Sequence, residues 1–406
     1  MSAGAFISIF ILIIITDLVM LLLFLLAFVE STLLSSVTVF RHGARSPVNR
    51  FSWDTGYWPR GLGELTLEGM IQEYNLGLKL KDRYLSSGCE FDINNISKEI
   101  YVRSSDSKRA IMSAQFFMMG FLSSESLYPE VLFESLAFPS KYVLGDEKFN
   151  LYVIELPNTH TKVKVYSIKK KLDHMLVGWS SKVCPRLKEI FYEVWQTEEY
   201  KQKVLEYNLG TKLEMRDSFD TDVSLEKSWE YADTIQCELF HGYELPKNTN
   251  YDLYWKIHGL HNYTNSYAFN KEGASLVSSK FFKELLEKFN WKINNDFREK
   301  FGFYFAHDAT LVGFLKFLNI WDGNNPDFGA YITFELHQEN NENYVKILYN
   351  DVHVKLQECK EDCLWEDFQK IVAEKLTLDL NKACSLKYDF NVEETSVFKS
   401  SDREID

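Results

Sequence analysis

The sequence predicts an α/β fold: a mostly parallel central sheet flanked by helices, with a smaller, mainly helical lobe. Three observations carry this. Short apolar runs at residues 33–40, 99–102 and 301–306 each lead through a polar turn into a segment of helical periodicity. That grammar lapses between about residues 138 and 270, where charge and tyrosine rise and helical or irregular segments take over. It then returns with an amphipathic stretch carrying Leu276, Val277, Phe281, Phe282, Leu285, Leu286 and Phe289.

Taken in order, residues 33–40 are short, rich in β-branched side chains and followed by Gly43 and Pro47, which marks a buried strand and its turn. Thr66 opens a helix with Leu67, Met70, Ile71, Tyr74 and Leu78 at helical spacing, and Glu68 sits in its first turn, where the helix dipole favours a negative charge. The strand at 99–102 leads to Arg103 and a helix over 106–121. Helices over 184–200 and 227–240 build the lobe. Residues 301–306 form a strand ending at His307-Asp308, with a helix over 309–318 after it. Residues 331–336 and 344–349 alternate as the arms of an antiparallel hairpin. The expected organisation is a leader at 1–31, an α/β catalytic domain from 32–137 and 271–390, a helical cap lobe at 138–270 and a polar tail at 391–406.

The leader is apolar from Ala5 to Val29 except for Ser8, Thr16 and Asp17, and no Lys or Arg precedes it. Its length exceeds a signal-peptide core and approaches a membrane span, so a cleaved signal peptide and an uncleaved N-terminal membrane anchor both stand. Either places the rest of the chain outside the cytosol, in the secreted, lysosomal or endomembrane-lumen space. The acceptor triplets at Asn95 and Asn262 and an even count of six cysteines agree with that compartment. The chain contains no Cys-x-x-Cys pair, and no paired histidines stand near Cys359 and Cys363, so no metal site is expected.

With 46% hydrophobic residues, 15% aromatic residues and a net charge of -13, the chain has ample core and excludes nucleic acid as a partner. An anionic substrate must then be captured by a local basic cluster against the field of the whole molecule. Such a cluster stands at Arg41-His42-Gly43-Ala44-Arg45-Ser46-Pro47, where the first strand ends. Guanidinium forks match phosphate oxygens, and a histidine among arginines is held neutral, as a nucleophile toward phosphorus must be. Arg103 and the His307-Asp308 pair stand at two further strand ends. Ligands of open α/β sheets sit beyond the carboxyl ends of the strands, so the three places suit one site. Taken singly, each has a plain structural reading: a solvated loop for Arg41-His42, a surface ion pair for Arg103, a core histidine for His307 and a helix cap for Asp308. Lys108-Arg109 reads as a solvated helix face, and the remaining seven histidines show no paired spacing.

Together these residues resemble the histidine acid phosphatase family, the acid phosphatase branch of the histidine phosphatase superfamily. Its Arg-His-Gly-x-Arg-x-Pro hallmark is met at Arg41, His42, Gly43, Arg45 and Pro47, and its His-Asp hallmark at His307-Asp308. The stretches 58–69 and 103–114 are similar to the family as well, and the resemblance spans about 32–384, most weakly between Pro139 and Ala232. It implies a phosphoglycerate-mutase-like sheet and an acid phosphatase hydrolysing small-molecule or peptide phosphate monoesters without a cofactor. His42 is then the nucleophile, Asp308 the general acid, and Arg41, Arg45, Arg103 and His307 the phosphate ligands. It also implies disulfides Cys184–Cys384 and Cys359–Cys363, and a homodimer is among the assemblies found in relatives. Cys237 lacks the family's usual partner, so it either bridges to Cys89 or both stay free. Two alternatives are a phytase-like inositol phosphate phosphatase, though that branch carries His-Ala-Glu, and a non-catalytic secreted binding protein on a phosphatase scaffold.

Overall fold

The computed structural model describes residues 31–85, 91–92, 95–123, 136–143, 148–157, 161–294 and 299–387. The leader up to residue 30, Cys89 and the polar tail lie outside them. The strands are β1 (Thr32–Arg41), β2 (Ile100–Ser105), β3 (Ser140–Val143), β4 (Phe149–Glu155), β5 (Lys162–Ile168), β6 (Phe301–Ala306), β7 (Tyr331–Glu339), β8 (Glu342–Tyr349), β9 (Val352–His353) and β10 (Cys363–Leu364). They form one sheet in the order β10–β8–β7–β1–β6–β2–β5–β4–β3, with β9 on β8. Its centre, β1–β6–β2–β5, is parallel, and both wings are antiparallel.

Strands β1, β6 and β2 are buried along nearly their whole length because both faces are covered. Side chains alternate between the faces. Phe40, Phe301, Phe303 and Phe305 enter one core, with α1 (Leu67–Leu85) and α2 (Lys108–Phe121) packed over it. Val37, Val39, Tyr304 and Ala306 enter the other, under α8 (Lys271–Ile293), α9 (Asp308–Phe317) and α10 (Trp365–Lys375). Helices α1 and α2 cross at touching backbones: a Cβ on Gly77 would stand 2.1 Å from the Phe117 carbonyl oxygen, and one on Gly120 2.1 Å from that of Tyr74.

The expected boundary at residue 138 moves. Residues 140–168 join the sheet as β3, β4 and β5, because Lys162–Ile168 alternates exposed Lys with buried Val and pairs with the free edge of β2. The lobe proper is helical: α3 (Arg186–Trp195), α4 (Glu198–Leu209), α5 (Thr211–Phe219), α6 (Ser228–Phe240) and α7 (Tyr251–Ser266). They feed a separate core that includes Tyr200, Met215, Ile235 and Ile257, α3 through its partly buried Val194 and Trp195. The helix expected over 184–200 divides where the Thr197 hydroxyl caps α4 by accepting from the Tyr200 N–H.

Disulfides Cys184–Cys384 and Cys359–Cys363 are formed, as the resemblance implied. Cys237 is a free, buried thiol; Cys89, the partner the sequence offered for it, lies outside the described residues. Asn262 is only 8% exposed, and its side-chain amide is engaged with Asn324 and Asn325. That triplet therefore presents no open acceptor. Among the described residues, no helix is long and apolar enough to cross a membrane.

Candidate active site

The parallel centre aims the carboxyl ends of β1, β6 and β2 at one edge, with Arg41 level with Ala306 and Ser104 level with Phe305. His42, His307 and the start of α2 therefore come together although they are distant in sequence. The backbone pins this edge: the His42 N–H donates to the Ala306 carbonyl (3.2 Å) and the Arg41 N–H to that of Ala330 (2.8 Å). A cleft of about 880 Å³ opens above it, walled on the far side by Trp229, Asp233 and His261 of the lobe. Such a volume suits a whole organic substrate.

His42 is 2% exposed, and its Nδ1 lies 2.9 Å from the Gly43 carbonyl oxygen. A carbonyl only accepts, so Nδ1 carries the proton and Nε2 keeps a lone pair. Burial first, then the charges of Arg109, Arg45 and Arg41, hold the imidazole well below its ordinary range, so it is neutral. His307 faces it edge-on, ring centres 5.6 Å apart, and its Nε2 lies 2.9 Å from the Ser105 hydroxyl. Burial and then Arg109 lower its basicity as well, against a smaller opposing pull from Asp308.

Arg45 lines the cleft and forks onto Asp233 of α6 at 2.7 and 3.1 Å, with a further contact of 3.6 Å to Cys237 Sγ. Burial opposes its charge, but Asp233 outweighs that and fixes the guanidinium as a cation. Asp308 also lines the cleft; its carboxylate accepts from the Ala309 N–H (2.6 Å) and lies 3.5 Å from Arg41. Arg41 itself sits behind the cleft. It is 1% exposed, lies 4.2 Å over the Phe328 ring and donates to the Pro326 carbonyl.

Arg103 is not in the cleft. Strand β2 runs to Ser105 rather than stopping at Val102, so Arg103 lies inside the strand, level with Tyr304. There its guanidinium is taken by Asp173 (2.7 Å) and Met175 Sδ (3.1 Å). Arg109, read above as a solvated helix residue, lines the cleft instead. It stands in the first turn of α2, whose N-terminal end opens on the same edge as the strand ends, a placement that favours anions. Burial and then the neighbouring Arg45 push its guanidinium down to about 10, so it remains a cation at neutral and acidic pH. The sequence held one signal for it: position one turn into a helix that follows a site strand.

The site thus holds a neutral imidazole with its lone pair free, two guanidiniums, a second histidine and a carboxyl in one cleft. That set can grip a phosphoryl group, attack it and exchange a proton with the group that leaves. Comparison with known proteins agrees. Lysosomal acid phosphatase of Xenopus laevis is 28% identical over 375 residues, covering 88% of this chain and 80% of that protein. The human lysosomal acid phosphatase is 26% identical over 362 residues, covering 86% and 79%. The structure of Hafnia alvei phytase in complex with tartrate superposes with a TM-score of 0.61 at 14% identity, covering 88% of this chain and 99% of that one, which places the fold. The pattern described as the histidine phosphatase superfamily (branch 2) matches residues 32–350, and the chain belongs to that family.

Proposed function

We propose that this protein is an acid phosphatase that hydrolyses phosphate monoesters through a phosphohistidine on His42. The observation that carries the reading is the His42 imidazole, neutral and with Nδ1–H bound to Gly43, beneath two cleft-lining arginines. Arg45, Arg109 and His307 hold the phosphoryl oxygens, and Arg109 takes the place first assigned to Arg103. Nε2 of His42 attacks phosphorus in line; the P–N bond forms as the P–O bond to the alcohol breaks. Asp308, entering as the acid, gives its proton to the leaving oxygen. As carboxylate it then takes a proton from water, whose oxygen attacks phosphorus and breaks the P–N bond. Phosphate leaves, and the proton stays on Asp308 for the next cycle. Arg41, 3.5 Å away, steadies the carboxylate between the two halves.

Need for a protonated Asp308 makes turnover fastest at acidic pH. The lysosomal names of the relatives and the two disulfides support a lumenal or secreted location. Of the two acceptor triplets, Asn95, which is partly exposed, is the one open to a glycan. Hydrolysis of 4-nitrophenyl phosphate from pH 4 to 8, with chelator present, tests the reading. Wild type should turn over best in acid and His42→Ala should lose at least about a thousandfold. Equal rates for the two proteins would refute it.

A further inference from the structure

Helix α1 places a carboxyl directly behind the nucleophile. Glu73 is fully buried, and neither of its oxygens has a partner in hydrogen-bond geometry. It packs against Gly43: a Cβ built there would stand 3.0 Å from Glu73 Cγ and 2.6 Å from the Gly69 carbonyl oxygen. Gly43 is held at both ends. Its N–H donates to the Ser113 hydroxyl of α2 (3.0 Å), and its carbonyl accepts from Nδ1 of His42 (2.9 Å). The preceding residue of α1, Gln72, steadies the peptide that carries this carbonyl by accepting from the Ala44 N–H (2.9 Å).

An ionised carboxylate at this position would be fully buried with only the Ser113 hydroxyl and no cation to meet it, a cost that proteins avoid by keeping the group protonated. As an acid, Glu73 needs an acceptor. The Ser113 oxygen has two lone pairs, of which the Gly43 N–H takes one. We propose that Glu73 is a positioning residue: as a neutral acid it donates to Ser113, braces the Gly43 peptide, and so keeps His42 in the tautomer that attacks. The proposal rests on the phosphohistidine reading for its effect on rate, though not for its effect on the tautomer. Burial raises the Glu73 carboxyl to about 8, while the Ser113 hydroxyl pulls weakly the other way. These two influences account for the shift; the titratable group it faces across the Gly43 peptide is His42, itself neutral. The brace is therefore complete in acid and fails as pH rises through about 8.

The test uses the full chain with Glu73→Gln, whose amide still donates, and Glu73→Leu, which fills the space without a donor; melting curves confirm that both are folded. Burst kinetics with 4-nitrophenyl phosphate read phosphorylation of His42, and imidazole nitrogen shifts read its tautomer directly. Glu73→Leu should slow the burst about tenfold or more with KM unchanged, and should mix the tautomers. Glu73→Gln should restore both and abolish the fall that wild type shows near pH 8. Wild-type burst rate and a single tautomer in Glu73→Leu would overturn the proposal. So would a Glu73→Gln variant that keeps the wild-type fall. If wild type forms no phosphohistidine at all, the phosphatase reading fails, while the nitrogen shifts still decide the role of Glu73.

Discussion

The His42 imidazole owes its reactivity to what surrounds it. Free histidine is half protonated near pH 6.5 and so a poor nucleophile in an acidic compartment. Here burial and three arginines keep it neutral, and the Gly43 carbonyl assigns its proton to the nitrogen away from substrate. The same charges that grip a phosphate therefore also ready its attacker. Arg109 and Arg103 separate the two jobs an arginine can do. Arg109→Ala should cut kcat/KM by roughly 10²–10³, as loss of a transition-state donor does. Arg103→Ala should instead leave Asp173 buried and unpaired, costing about 3–5 kcal/mol of stability. Steady-state kinetics beside thermal melting of the two variants checks this; a larger loss of kcat/KM in Arg103→Ala would reverse the assignment. The expectation for Arg103 differs from the structure because β2 runs on to Ser105, so Arg103 lies within the strand, level with Tyr304, and not at its end.

Between elements, the site is held by a clamp from the lobe: Asp233 of α6 grips Arg45 from the loop after β1 and also accepts from the Val48 N–H (3.3 Å). Burial raises the Asp233 carboxyl, but Arg45 more than offsets this and holds it below its usual value of 3.8. A depressed carboxyl stabilises the fold above its unfolded value, and that stability is lost as pH falls through the folded value. The clamp therefore holds through pH 4–6 and opens only below about 3.8. Asp233→Asn should melt below wild type at pH 5 by an amount equivalent to about 3–5 kcal/mol, and the gap should narrow only when pH falls below the folded value, itself below 3.8. Coincident melting at pH 5 would show that the pair does not couple lobe to sheet. The elements themselves were unevenly legible. Strands β1 and β6, helices α1 and α9 and the β7–β8 hairpin followed from periodicity alone. The β4–β5 hairpin did not, although Lys162–Ile168 alternates plainly. Its charge and tyrosine are those of the neighbouring lobe, so composition masks the period.

At the scale of the whole molecule, a chain of net charge -13 binds an anion by gathering its cations at one sheet edge. Parallel order at the centre makes this possible, since it brings the ends of β1, β6 and β2 to a common level. Four of the six residues singled out from sequence, His42, Arg45, His307 and Asp308, line that cleft. Motif and strand-end position sufficed for them. For Arg109 the one signal was its place in the first turn of the helix after β2, whereas the place of Glu73 depends on how α1 and α2 stack behind the loop, which local sequence does not encode. The central claim is covalent attack by His42, and trapping the intermediate tests it most directly. The full chain is mixed with a ³²P-labelled phosphomonoester and quenched in alkali, where a phosphorus–nitrogen bond survives, and the label is mapped by mass spectrometry. The account predicts label on His42 within one turnover and none in His42→Ala; rapid turnover with no label on any histidine would mean that water attacks the substrate directly.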